Sequence, residues 1–305
     1  MTLVLLAALL SPPAAAQACV CSRGVALPNG NILRTWAGLF TLDYGASLSG
    51  ETSMWQGFAV NDLYGDSMAG MYMPPHLVQT ASLNAALGLP ANFSVSATIP
   101  YIYTHHLHES EMPGDVDSNS LADVDLTGKW VHKGKGGKGF IGLSAGLSFP
   151  TGEVVPDSPV RSGRGVLGGS GSVSAGTKLH PKAGIAAQLS GSAGFGPDES
   201  GYTVAPAASL VAGAWWTPKE NGRLSLAAFG IEKWAGNDQK DALIYKNTGY
   251  LNTDIAVAAT YSFWESGLRS ASLSARVQAP VYQQVGDPMY AENLAGNVGF
   301  SVVAF

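Results

Sequence analysis

Charge is what this chain has least of. Lys, Arg, Asp and Glu make up 13% of its 305 residues, against about 25% in a typical soluble domain. Basic residues number 17 and acidic ones 22, a formal charge of −5 with no basic block, which excludes nucleic acid as a partner. Proline is scarce beside glycine, 17 against 38, so this is not a Pro-rich disordered chain. Cysteine occurs only at Cys19 and Cys21. After the first residues no run reaches the ~18 consecutive apolar residues that a membrane-spanning helix needs. These shortages exclude a helical membrane protein and argue against an ordinary soluble enzyme. A Gly-rich, charge-poor, all-β chain remains.

The first residues read as an export signal. Thr2 to Leu10 is an apolar run, broken by Pro12 and Pro13, and Ala16-Gln17-Ala18 carries small residues at the spacing of a cleavage site. The expectation is a signal peptide over 1–18 and a periplasmic N-terminal segment over 19–33, able to act as a plug. Cleavage there leaves Cys19 first. With one residue between them, Cys19 and Cys21 are open to three readings: a lipid anchor at Cys19, a disulfide, or a soft-metal thiolate pair.

From residue 34 onward the dominant signal is period two, the strand signature. Ile141, Leu143, Ala145, Leu147 and Phe149 alternate with Gly142, Ser144, Gly146 and Ser148, and Ile255, Val257, Ala259, Tyr261 and Phe263 alternate with polar or small residues. Twelve such runs are expected, at 34–49, 79–88, 92–103, 121–132, 139–149, 165–179, 184–195, 203–216, 223–234, 251–264, 270–282 and 294–305. Most are longer than the usual 5–6 residues of globular sheets, and they match the ~9–11 residues of a tilted transmembrane strand. Short links at 89–91, 133–138, 180–183, 217–222 and 265–269 alternate with longer ones at 50–78, 104–120, 150–164, 196–202, 235–250 and 283–293. That alternation is the plan of an outer-membrane barrel, with short turns periplasmic and long loops extracellular. The expected fold is an antiparallel transmembrane β-barrel over 34–305 in a diderm bacterium, both termini periplasmic. Trp130, Tyr101, Tyr103, Trp216, Trp234 and Phe263 fall near strand ends on the outward parity, where interfacial aromatic girdles sit.

In lipid the polar parity must face the lumen. That places Asp43, Asp123, Asp125, Lys129, Asp254 and Arg276 inside, among Ser, Thr, Gly and Ala. Twelve strands lie between packed 8-stranded barrels and 16–18-stranded aqueous porins, so a narrow or plugged passage for a small solute is expected. An internal salt-bridge network is the competing role for those charges, and a purely structural barrel that passes no ligand is the corresponding alternative function.

Residues 121–153 read LADVDLTGKWVHKGKGGKGFIGLSAGLSFPTGE. The segment resembles the core motif of the outer-membrane transporter family known as the "MetA-pathway of phenol degradation" proteins. Asp123, Lys129, Trp130, Pro150, Thr151 and Gly152 occupy the matching positions, with Ala122 where the family has Gly and Phe149 where it has Leu. The resemblance implies a barrel that passes small, often aromatic or hydrophobic molecules. The terminal Phe305 resembles the last residue of the signature read by the barrel-assembly machinery, although Gly299 and Ser301 stand where that signature prefers apolar residues.

No Gly-rich phosphate loop, His-Glu-x-x-His zinc motif or EF-hand loop is present, and no Ser or acid has a defined spacing to the outward His132. No enzyme activity and no cofactor is expected. Two loops stand out chemically, however. Met68, Met71, Met73 and His76 crowd the first, and His105, His106 and His108 open the second. Thioether and imidazole ligands together suit copper, and these residues with Cys19 and Cys21 form an alternative copper-handling set. The competing roles are a flexible apolar lid for the methionines and polar rim positions for the histidines.

Overall fold

The computed structural model describes residues 27, 33–49, 58–60, 76–106, 118–154, 162–218, 223–240, 243–244, 249–266, 269–285 and 292–304. Twelve strands form one antiparallel ring: β1 (Gly38–Ser49), β2 (His76–Gly88), β3 (Phe93–His106), β4 (Val124–Lys133), β5 (Gly139–Phe149), β6 (Gly168–His180), β7 (Ala183–Gly194), β8 (Ala207–Trp216), β9 (Leu224–Ala235), β10 (Tyr250–Ser266), β11 (Arg269–Val285) and β12 (Glu292–Ala304). Each pairs with its chain neighbours, and β12 pairs with β1 from Gly38↔Ala304 to Ser49↔Glu292. The ring is therefore closed, which leaves no strand edge unpaired. Among the described residues no helix is long and apolar enough to cross a membrane.

All twelve expected runs are strands, but their ends differ. Residues 34–37 do not extend β1: Trp36 takes a left-handed φ of 68°, and the Ala37 N–H turns back onto the Arg34 carbonyl. The run from 121 breaks at Ala122-Asp123, and Ser118–Leu121 is a separate short strand paired on β3. The run from 203 begins later, at Ala207. Tyr202–Thr203 instead joins Gln239–Lys240 and Leu243–Ile244 in a second, three-stranded sheet. β10 and β11 reach 17 residues each, beyond the 14 and 13 expected.

Turn chemistry separates the two ends of the barrel. β2 and β3 are joined by a tight turn in which Ala91 and Asn92 adopt φ of 58° and 65°. The β4–β5 turn places Gly136 and Gly137 at φ of 72° and 65°, where only glycine escapes a Cβ penalty. These turns, the two-residue β6–β7 link and the described ends Gly38 and Ala304 share one end, called here the short-turn end. The β8–β9 link of seven residues also lies at the short-turn end, while the other links of six to 26 residues leave the opposite, long-loop end.

Side-chain parity sorts the wall into two faces. Leu42, Leu83, Ile99, Leu126, Ile141, Val173, Leu189, Ile255, Val257, Leu273 and Val298 are exposed on the outer face. The inward positions of the same wall include Thr41, Asn84, Thr98, Ser174, Ser190, Ser209, Ser225 and Ser272, all buried. An apolar exterior around a hydroxyl-rich interior inverts a soluble protein and suits a lipid-facing wall. The outward aromatics fall in two groups, as expected. Phe93, Trp130, Trp216 and Phe263 lie toward the short-turn end, and Tyr44, Tyr101, Tyr103 and Trp234 toward the other.

Candidate functional site

The lumen is layered. At the short-turn end Leu33, Leu39, Ala86 and Val303 form a small buried apolar cluster. Leu39, Ala86 and Val303 come from β1, β2 and β12, whereas Leu33 precedes β1 and enters the cluster from the N-terminal side. Farther along, on β8–β10, the inward Val211, Phe229, Ile231 and Ala256 form a second apolar patch. Leu27 packs against that patch together with Ala227 and Ala258. Leu27 and Leu33 thus both meet inward-facing side chains, so part of the segment before β1 lies within the barrel.

Toward the long-loop end of the same strands the wall becomes ionic. Lys233 Nζ sits 2.9 Å from Asp254 Oδ2, which also accepts a hydrogen bond from Gln278 Nε2 at 3.2 Å. Asp254, Asn252 and Gln283 are all completely buried. Inward parity follows from the register, Ile231↔Asp254 and Lys233↔Asn252. A carboxylate removed from water in this way is tolerated only when paired and hydrogen-bonded. Lys233 supplies the pairing.

The rest of the circumference is small and hydroxylic. Ser144 and Ser172 hydroxyls meet at 2.7 Å, Ser190 and Ser209 at 2.7 Å, and Ser272 and Ser301 at 2.8 Å. Asn84 Nδ2 donates to Thr98 Oγ1 at 2.7 Å. Asp125 and Lys129 occupy inward positions on β4, opposite Ser148 and Ser144 of β5. Asp43 is inward on β1 opposite Gly299, where an added Cβ would collide with its Oδ1. Arg276, inward on β11, supplies the positive charge acting on Asp43. The structure therefore brings Asp254 and Lys233 into one pair and relates Asp43 to Arg276, while Asp125 and Lys129 stand on the β4 wall.

Asp123 does something different. It lies where the chain breaks before β4, with its side chain fully buried. Its Oδ1 accepts the Gly152 N–H at 3.1 Å and its Oδ2 the Arg164 N–H at 2.8 Å. Beside it Thr151 Oγ1 accepts the Val124 N–H at 2.9 Å and donates to the Ala122 carbonyl at 3.1 Å. The motif residues Asp123, Thr151 and Gly152 thus clamp the β5–β6 loop onto the start of β4. No side chain fits in that clamp at Gly163, whose Cβ would lie 2.5 Å from Asp123 Oδ1.

The clamp positions Arg164, which reading the sequence missed. Its side chain is buried, and one guanidinium nitrogen donates to Ser192 Oγ at 3.0 Å. A Cβ at the inward Gly168 would come 2.6 Å from Nη1. A loop cation therefore lies against the inward face of β6 and β7 at the long-loop end. The next loops are tied down as well. Asp198 Oδ1 accepts from Ser200 N, Ser200 Oγ and Tyr202 N, and Asp238 accepts from the Tyr202 hydroxyl and from Ala205 N.

Of the soft-ligand set, Cys19, Cys21, Met68, Met71, Met73 and His108 lie outside the described residues, as do the 1–18 segment and Phe305. His76, His105 and His106 are placed by backbone, at the long-loop ends of β2 and β3. Among the described residues no group of three or more His, Cys, Asp or Glu is arranged to hold a metal.

The fold defines a class, the twelve-stranded outer-membrane type of β-barrel. In structure the chain is similar to an outer-membrane channel from Pseudomonas putida F1, with a TM-score of 0.74, 14% identity, and 92% of this chain covering 100% of that one. Weaker likenesses are to the KdgM porin in complex with disordered oligogalacturonate (TM-score 0.45, 8% identity, 87% of this chain and 99% of that one) and to the deltaS2S3 mutant of the TodX monoaromatic hydrocarbon channel (0.44, 10%, 88% and 90%). No family's sequence profile matches the chain, and no curated protein matches it in sequence.

Proposed function

We propose that this protein is an outer-membrane channel through which a small solute passes by diffusion, with no chemistry on the solute. The observation that carries the proposal is the inversion of the wall: a closed ring, apolar outside and lined within by small hydroxyl side chains. Small linings leave space in a lumen, where large ones would fill it. Both termini lie toward the periplasm, because the short-turn end holds Gly38 and Ala304 and short turns are periplasmic in such barrels. Phe305 then follows the last strand as the residue offered to the barrel-assembly machinery, and outer-membrane lipids surround the wall.

The segment before β1 is the plug. Leu27 covers the apolar patch of Val211, Phe229, Ile231 and Ala256, and Leu33 covers that of Leu39, Ala86 and Val303. A solute that displaces Leu27 meets an apolar wall beside the Lys233–Asp254 pair, which supports a small, partly apolar molecule as cargo, in line with the resemblance of residues 121–153. Asp43, Asp125, Lys129, Asp254 and Arg276 line the passage, and Asp123 shapes it by holding Arg164 in place.

Liposome swelling with neutral solutes of increasing size tests this reading, on the intact chain and on one lacking residues 22–33. Slow swelling by the intact barrel and faster swelling by the shortened one is the expected result. Absence of swelling in both would remove the transport reading.

A further inference from the structure

The lumen pairs its charges unevenly. Asp254 holds Lys233 at 2.9 Å, and Asp123 is committed to two backbone N–H groups. Lys129, by contrast, has no ion-pair or hydrogen-bond partner among the described residues. It is half-buried on the inward parity of β4, shared with Thr127 and Asp125, while Leu126 on the other parity is exposed outside. Asp125 is four residues along the strand, about 13 Å at the usual strand rise. What flanks Lys129 is hydroxyl. The register sets it opposite Ser144 of β5, and the inward row continues through Ser172, Ser190 and Ser209 to Lys233. Four serines on consecutive strands are thus bracketed by two ammonium groups, one neutralised and one not. Every side chain in that row can donate a hydrogen bond, and none carries negative charge. Ser144 and Ser172 share a single bond of 2.7 Å: one hydroxyl donates, and the other keeps its hydrogen for a further acceptor. Opposed residues of an antiparallel pair have their β-carbons about 4.5–5.5 Å apart, so the Lys129 ammonium and the Ser144 hydroxyl reach one acceptor together. Toward the short-turn end the same face turns apolar. Val131 is buried there, and Phe140 lies over Gly176, where an added Cβ would collide with its ring.

We propose that Lys129, with the hydroxyls of Ser144 and Ser172, is a carboxylate-binding station in the lumen, and that the solute is a small organic monoanion whose apolar body lies against Val131 and Phe140. The inference deepens the diffusion reading and rests on it for the part the site plays in passage. One uncompensated positive charge in a low-dielectric wall attracts a single negative charge. The hydroxyls replace part of the anion's hydration shell, and a site of one cation and two hydroxyls holds it loosely enough for release. At Lys233 the same attraction is already satisfied by Asp254.

The test is saturation-transfer NMR on the intact barrel in detergent, titrated with sodium butyrate, butan-1-ol and butylammonium chloride. It reads binding without flux, so a barrel that binds butyrate but fails to swell liposomes refutes the transport reading and leaves the site standing. Butyrate should bind saturably, butan-1-ol at least about tenfold more weakly, and butylammonium more weakly still. Lys129→Gln should weaken butyrate at least about tenfold and leave butan-1-ol unchanged, whereas Lys129→Arg should retain butyrate. The change to Gln strands no partner, so the variant should fold, as judged by heat-modifiable migration on gels. Ser144→Ala/Ser172→Ala should weaken butyrate about fivefold, the equivalent of one ordinary hydrogen bond. Lys178→Gln, altered at the exposed short-turn end, should bind as the parent does. Equal butyrate affinity in parent and folded Lys129→Gln barrels would overturn the proposal, as would equal binding of butyrate and butylammonium. Full displacement of butyrate by an equal concentration of chloride would overturn it too, since the site would then hold inorganic anions only.

Discussion

Replacing Asp123 with alanine should release the β5–β6 loop from the lumen. The native carboxylate accepts two backbone N–H groups, Gly152 at 3.1 Å and Arg164 at 2.8 Å. Hydrogen bonds to charged groups contribute about 1.5–3 kcal/mol each, so the pair holds the loop by about 3–6 kcal/mol. Relief from burying the carboxylate offsets part of this, and a loss near the lower bound, about 3 kcal/mol, is expected. At 1.4 kcal/mol per decade that raises the open-loop population roughly a hundredfold. Asp123→Asn should fall between, since the amide keeps one acceptor and turns a donor toward an N–H. Trypsin cleavage after Arg164 reads the effect directly, because that side chain is buried when the clamp is closed. Initial cleavage rates should rise in the order parent, Asn, Ala, while the barrel still migrates as folded. Equal cleavage rates in folded parent and Asp123→Ala barrels would refute the clamp.

The Lys233–Asp254 pair should behave as a buried ion pair. Lys233→Met alone should cost about 3–5 kcal/mol by stranding the carboxylate, whereas Lys233→Met/Asp254→Leu should recover most of it, as read by equilibrium unfolding in detergent or bilayers. On the outer face, Val257→Arg should destabilise the bilayer-inserted barrel by about 2–4 kcal/mol and matter far less in detergent. An equal effect in both would contradict a lipid-facing wall.

The architecture was legible because a barrel wall has a strict two-residue period that every strand must obey. Strand ends were less so, since alternation does not mark where pairing stops. Trp36 fits the pattern yet turns out of it, and Ala122-Asp123 interrupts a run that looks continuous. The same break explains Asp123: read in phase with Asp125 it belongs to the lumen, whereas one step before the strand it is free to hold a loop. Lys233 follows Glu232, and adjacent charges near a strand end leave open which one turns inward. Arg164 had no periodic signal, and only its flanking Gly163 and Gly165 hinted at a tightly placed backbone. Leu27 and Leu33 contact strands far away in sequence, which no local pattern encodes.

Occupation of the lumen by the N-terminal segment is most directly tested by locking it there. With Cys19 and Cys21 replaced by serine, Leu27→Cys would be paired in turn with Val211→Cys, Phe229→Cys and Ile231→Cys, and single barrels recorded in planar bilayers before and after reduction. A disulfide should form in at least one pair, with low conductance while oxidised and larger, more frequent openings once reduced. Failure of all three pairs to cross-link, or identical conductance in the oxidised and reduced states, would contradict a lumen controlled from its N-terminal side.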